Sequence, residues 1–111
     1  MAKPPEERDR ALLLDMVLAA RDALSFVEGM DEAAFIASTL HQNAVIRSLE
    51  VIGEAASKVS PTTRASLAYV AWSEIIAMRN RLIHGYDTVS LERVWPTVRE
   101  DLGPLITALD C

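Results

Sequence analysis

Apolar residues recur at steps of three and four along most of the chain, which is the period of one helical face. The pattern predicts a first helix that ends at Gly29 and a second, long helix that begins at an Asp31 cap and ends at Ser60-Pro61. We expect Gly53, inside the second helix, to mark a close helix contact, because glycine costs about 1 kcal/mol there relative to alanine. The two stripes consist of Leu12, Met16, Ala19, Ala23, Phe26 and Val27, and of Phe35, Val45, Leu49, Ile52, Ala56 and Val59.

The second half of the chain contains two more periodic segments. The first predicts a helix from about Trp72 to His84 that stops at Gly85, because glycine tolerates the positive φ typical of a helix C-terminus. The second predicts a fourth helix, which Ser90 caps and which extends to Leu109. Its apolar stripe consists of Leu91, Val94, Trp95, Val98, Leu102, Leu105 and Leu109.

Two parts of the chain depart from this regular pattern. Pro96 and the Gly103-Pro104 pair should kink or interrupt the fourth helix. Residues 60–71 lack a clear period and form a connector with room for one short extra helix. Four main helices with short connections predict an all-α fold, an antiparallel helical bundle. A length of 111 residues favours a single domain over residues 1–111.

Composition and charge narrow the classes of function. The chain has 11 basic and 16 acidic residues, for a net charge of −5, so broad non-specific wrapping of nucleic acid is excluded and any such role needs a local cationic site. No segment approaches the roughly 20 apolar residues of a membrane span, which predicts no membrane partner. A single cysteine, Cys111, favours a reducing compartment, and we expect a cytoplasmic protein.

Arg79 is the least expected residue of the third helix. On a helical wheel it falls in the middle of an apolar stripe that includes Ile75 and Leu82. A guanidinium is almost never buried without a partner. Arg79 must therefore meet a carboxylate such as Glu50 or Glu54, a second subunit, or an anionic ligand.

Asn80 and His84 are four residues apart, so a helix brings their side chains to one face. An imidazole that can be charged near neutral pH is suited to proton transfer. Arginine and asparagine beside it are suited to binding a phosphate. The alternative for His84 is a histidine that only caps the end of the helix.

The pattern Arg79-x4-His84-x-Tyr86, with Asn80 directly after the arginine, resembles the signature of HEPN-domain proteins of the HepT toxin type. The resemblance implies a HEPN-like helical bundle that forms a homodimer and cleaves RNA in a shared cleft without a metal ion or other cofactor. It also implies an antitoxin partner, a minimal nucleotidyltransferase of the MNT type. The resemblance covers most of the chain, through the segments Arg47–Ala55, Trp72–Ile76, Val94-Trp95 and Asp101-Leu102.

Carried over by position, the resemblance gives each motif residue a role. Arg79 would steady the scissile phosphate, His84 would act in proton transfer, and Asn80 would orient the pair. Tyr86 would complete the site, and the antitoxin would silence the toxin by transferring AMP to it.

Other residues carry weaker signals. His41 is far from His84 in the sequence and indicates a surface or interface position, and Cys111 is isolated, so the sequence predicts no metal site. Trp72 and Trp95 lie on apolar stripes and are expected in the core. Two other functions stay open: a non-catalytic subunit that binds a nucleotide or RNA for the nucleotidyltransferase, and a helical interaction module in which Arg79 belongs to a buried ion pair.

Overall fold

The computed structural model describes residues 5–84 and 91–109, and within these ranges it contains helices and no strand. The predicted all-α helical bundle is confirmed. The helices are α1 (Pro5–Phe26), α2 (Glu32–Ile36), α3 (Thr39–Lys58), α4 (Pro61–Ser66), α5 (Trp72–His84), α6 (Leu91–Pro96) and α7 (Leu102–Leu109), and a π-helical segment, Thr97–Asp101, joins α6 to α7.

The first helix ends close to the predicted position. Gly29 has a φ of 78°, a left-handed conformation that favours glycine, and the chain turns there toward α2. The predicted stripe is buried at Met16, Ala19 and Ala23, but Phe26 is 40% exposed. The placement of Phe26 in the stripe was therefore wrong, whereas Val27, predicted beside it, is buried.

The predicted long second helix is wrong, because the structure divides it into α2 and α3. The Ser38 hydroxyl accepts a hydrogen bond from the His41 backbone N–H at 3.3 Å and so starts a new helix. At the break, the Gln42 side-chain amide donates to the carbonyl oxygens of Phe35, at 3.0 Å, and Ile36, at 2.8 Å. These bonds satisfy carbonyl groups at the end of α2, so the interruption costs little.

The connector contains the short helix for which the sequence left room. Ser60 caps α4, with Pro61 at its first position. Asp9 of α1 is buried and accepts hydrogen bonds from the Ser60 backbone N–H, at 3.0 Å, from the Ser60 hydroxyl, at 2.5 Å, and from the Thr63 hydroxyl. These bonds, foremost that of the Ser60 hydroxyl, hold the pKa of Asp9 below its usual value. Asp9 therefore ties the start of α1 to the connector.

The predicted interruption of the last helix occurs directly after Pro96. The five residues Thr97–Asp101 are π-helical, so the backbone widens there before α7 begins. The second predicted interruption, at Gly103-Pro104, does not occur, because the pair lies inside α7, in its first turn.

The core lies where α1 packs against α3 and α7, and α3 also packs against α5. Trp72 and Trp95 are both buried, as predicted. The ring of Trp95 lies against that of Phe35 with a centroid distance of 5.3 Å, which joins α6 to α2. Because α5 packs on α3, the helix that carries the motif is anchored to the bundle through α3.

None of the helices in the described ranges is long and apolar enough to span a bilayer.

Candidate active site on α5

The two helices α3 and α5 come into close contact at Gly53. A Cβ atom at this position would lie 2.1 Å from the Cβ of Arg79 and 3.2 Å from the carbonyl oxygen of Ile75. Only glycine fits such an approach, which confirms that Gly53 marks a close helix contact. The side chain of Arg79 therefore starts directly against α3, beside the next residue of that helix, Glu54.

The Arg79 guanidinium has two partners in the structure. Its Nη2 donates to a carboxylate oxygen of Glu54, and its Nη1 donates to the side-chain oxygen of Asn80 at 2.9 Å. Of the partners that the sequence left open, a carboxylate of α3 is confirmed, and it is Glu54 rather than Glu50. The side chains of Arg79 and Glu54 are 25% and 45% exposed, so the ion pair reaches solvent.

Glu54 binds a second cation as well. The Nζ atom of Lys58, one turn later on α3, lies 3.3 Å from Oε1 of Glu54. The hydrogen bond from Lys58 and the charge of Arg79 hold the pKa of Glu54 below its usual value. Glu54 is therefore ionised at neutral pH and carries a full negative charge beside Arg79.

Asn80 and His84 are exposed and lie one turn apart on α5. The predicted helix from Trp72 to His84 is confirmed, so the spacing that brings these side chains to one face holds. His84 is the last residue before a gap in the described ranges. The predictions made for Gly85, Tyr86 and Ser90 lie outside the described residues.

The chemistry available on α5 is cationic and proton-transferring. A guanidinium has five N–H donors, and the bonds to Glu54 and Asn80 use two of them. A phosphate oxygen can accept from the others, while the imidazole of His84 can give or take a proton. Across residues 5–84 and 91–109, no three His, Cys, Asp or Glu side chains converge as metal ligands do.

Two of the cavities among the described residues lie beside α5. The larger, of about 760 Å³, lies between α5 and the C-terminal helices and has an apolar floor that includes Ile52, Ile75 and Leu105. Both signs of charge line it: Arg81 and Arg93, with Glu74, Glu92 and Asp101. The smaller, of about 540 Å³, is lined by Asn80, Arg64 and Trp72 among others.

The sequence reasoning missed Arg64 and Arg81 as cations near the motif. The Arg64 guanidinium donates to the carbonyl oxygens of Ala56, at 3.0 Å, and Ser57, at 2.9 Å, and so closes the C-terminal end of α3. Arg81 follows Arg79 by two residues and lies on another side of α5, where its position was readable from the helical period. His41 is half-buried, and its Nδ1 lies 2.6 Å from the Ser38 hydroxyl at the start of α3.

Residues 16–111 match the model of the family described as "Ribonuclease HepT-like", which covers more than half of the chain. The chain therefore belongs to the ribonuclease HepT-like family, as the motif around Arg79 and His84 indicated. No solved structure matches the chain.

Several relatives align along most of their length. "Putative RNase MJ1380" of Methanocaldococcus jannaschii is 36% identical over 93 residues, which cover 84% of this chain and 85% of the relative. "Putative RNase MJ0125" of the same organism is 35% identical over 98 residues, 88% of this chain and 84% of the relative. "Probable ribonuclease HepT" of Thermococcus cleftensis is 38% identical over 71 residues, 64% of each chain.

Proposed function

We propose that the protein is a metal-independent endoribonuclease that cleaves RNA at Arg79, Asn80 and His84, and that it is the toxin of a HEPN/MNT toxin–antitoxin module. The observation that carries the proposal is the Arg79 guanidinium, held by Glu54 and by Asn80, which is itself one turn before the exposed His84 on α5. Membership of the ribonuclease HepT-like family and the names of the relatives support it.

The residues present are sufficient for RNA cleavage. RNA supplies its own nucleophile, the 2′-hydroxyl, so the enzyme needs a group that moves a proton and a cation that stabilises the charge developing on the phosphate. His84 would move the proton, Arg79 would bind the phosphate, and Asn80 would hold the guanidinium through the bond that it accepts from Nη1. No step in this scheme calls for a metal ion or another cofactor.

A homodimer belongs to the same proposal. The larger cavity beside α5 combines an apolar floor with side chains of both charges, a composition that suits a second protein surface better than a phosphate. Ile83, the residue before His84, is 41% exposed, which adds apolar area next to the motif. We therefore expect two copies of the chain to place their α5 helices along one shared cleft.

The proposed regulation acts at Tyr86, two residues after His84. A nucleotidyltransferase antitoxin of the MNT type would transfer AMP to its hydroxyl, and the added phosphate would compete with RNA for Arg79.

The proposed site of action is the cytoplasm, because a chain whose single cysteine is Cys111 suits a reducing compartment.

Intact-mass spectrometry tests this regulation. Protein co-expressed with a nucleotidyltransferase encoded beside it should gain the mass of one adenylate, and the increment should disappear in Tyr86→Phe. Tyr69→Phe, a change at the other tyrosine, serves as the control and should keep the increment. An inhibited complex with an unshifted mass would contradict modification as the route of inhibition.

The activity itself is tested with His84→Ala and Arg79→Ala. Each should abolish growth inhibition and RNA cleavage while the far-UV helical signal persists, because both side chains reach solvent and neither fills the core. Unmodified wild-type protein that binds a nucleotide or RNA tightly and cuts no RNA would instead establish the non-catalytic binding subunit.

A further inference from the structure

Glu54 lies on α3, a different helix from the three proposed catalytic residues, yet it binds one of them directly. Its Oε2 accepts from Nη2 of Arg79, while its Oε1 lies 3.3 Å from Nζ of Lys58. Each carboxylate oxygen thus has its own cation, and Lys58 does not compete with Arg79 for the same atom.

Three contacts fix the place and plane of the Arg79 guanidinium. The contact with Gly53 sets the point from which the side chain leaves α5. Glu54 then holds Nη2, and Asn80 holds Nη1 at 2.9 Å. Because a guanidinium is planar and rigid, bonds at two of its nitrogens leave it little freedom to turn. A free arginine side chain, by contrast, samples many rotamers.

The exposure of the pair indicates what the bond does. With 25% of Arg79 and 45% of Glu54 exposed, solvent screens the attraction, and such pairs add little to folding stability. A stabilising role in the core, as a buried ion pair would have, does not fit these exposures. What the bond does set is the direction of a charged group on the same helix as His84, five residues before it.

We propose that Glu54 is a positioning residue, whose carboxylate holds the Arg79 guanidinium where it meets the charge that develops on the phosphate during RNA cleavage. This role rests on the proposed ribonuclease function. A group held in place before the reaction lowers the barrier of the chemical step more than it strengthens substrate binding. Loss of Glu54 should therefore lower kcat and leave KM nearly unchanged.

The alternative has the opposite effect on kinetics. A carboxylate beside Arg79 repels phosphate, so its removal could strengthen RNA binding and speed cleavage. The two effects have opposite signs in kinetics, and a single substitution separates them.

The test compares Glu54→Gln with Glu50→Gln in RNA-cleavage kinetics. Both substitutions remove one negative charge from α3, and the two positions are one turn apart. We expect kcat of Glu54→Gln to fall by about tenfold to a hundredfold, since small displacements of a catalytic group have costs of this size. Glu50→Gln should keep both parameters. In an Arg79→Lys background, Glu54→Gln should lower kcat by a smaller factor, because the two residues act as a unit.

An NMR measurement adds a readout that is independent of activity. Slow exchange of the Arg79 guanidinium N–H signals should mark the held group in wild-type protein and be lost in Glu54→Gln. If wild-type protein is active and Glu54→Gln has an equal or higher kcat, the positioning role of Glu54 is overturned while the ribonuclease function stands. The same holds if Glu50→Gln lowers kcat as much as Glu54→Gln does. Wild-type protein that cuts no RNA contradicts the ribonuclease and this role with it.

Discussion

Gly53 shows how one residue sets the geometry of the site. The Cβ of an alanine there would overlap the Cβ of Arg79, with 2.1 Å between them, and both atoms are held by helix backbones. Neither can move without a shift of α3 against α5. The position of Arg79 is therefore coupled to the packing of two helices.

Gly53→Ala should destabilise the protein by about 1–3 kcal/mol, the usual cost of overpacking, and should also lower RNA cleavage. Gly103→Ala is the matched control, because nothing lies within 4 Å of a Cβ built there. Within a helix alanine is favoured over glycine by up to about 1 kcal/mol, so this variant should be as stable as wild type or more so. Urea unfolding of both variants measures the difference, and equal stabilities would contradict the close contact.

The partner of Arg79 illustrates what the sequence could predict at this scale. That a guanidinium in an apolar stripe needs a partner follows from its fixed charge. Whether Glu50 or Glu54 supplies it depends on how far α3 and α5 slide along each other, and the contact at Gly53 fixes that register. One sequence without tertiary contacts carries no signal for such a choice.

Among the elements, α1 and α4 are joined by Asp9, which accepts bonds from Ser60 and Thr63. Because those bonds lower the pKa of Asp9, the native state favours the ionised carboxylate. The stabilisation is present above the unfolded pKa, near 3.8, and is lost as the pH falls through the lower folded value.

Asp9→Asn should therefore lower the free energy of unfolding at pH 7 by about 1–3 kcal/mol, the cost of disrupting buried hydrogen bonds. The gap to wild type should shrink as the pH falls below about 4. Asp15→Asn, at an exposed position of the same helix, should cost little at either pH. Urea titrations at pH 7 and in acid measure the two free energies of unfolding. A difference between Asp9→Asn and wild type that does not depend on pH would argue against an ionised Asp9 in the bonds with Ser60 and Thr63.

The elements themselves were largely predictable, because each apolar stripe faces the core and repeats with the helical period. The break between α2 and α3 was not, since it falls in the ten-residue interval between Phe35 and Val45, where the predicted stripe has no member, and since the Gln42 side chain supplies the missing bonds. The hydrogen bonds between Asp9 and Ser60 were not predictable either, because the two residues are 51 positions apart and share no local pattern.

At the scale of the whole molecule, the cavity beside α5 is the surface on which the proposed dimer depends. Its apolar floor and its charges of both signs suit a second copy related by a two-fold axis, in which one patch of surface meets the same patch of the partner. Light scattering at micromolar concentration should give twice the chain mass of 12.2 kDa. A clean monomer mass would exclude the shared cleft.

Arg93→Glu is the matching surface change. It places a fourth carboxylate in a cavity that is already lined by Glu74, Glu92 and Asp101, so dimerisation should weaken by like-charge repulsion. Arg21→Glu, on α1 and away from the residues that line this cavity, makes the same change of charge and should leave the mass unaltered. If both variants keep the dimer mass, the dimer contact lies elsewhere on the surface.

The most direct test of the ribonuclease is cleavage by unmodified wild-type protein in chelator-containing buffer, with an RNA and its 2′-deoxy counterpart as substrates. If the 2′-hydroxyl is the nucleophile, and Arg79 and His84 supply the rest, the RNA should be cut to products that end in a 2′,3′-cyclic phosphate. The deoxy strand should stay intact. An uncut RNA, or equal cutting of both strands, would contradict the account.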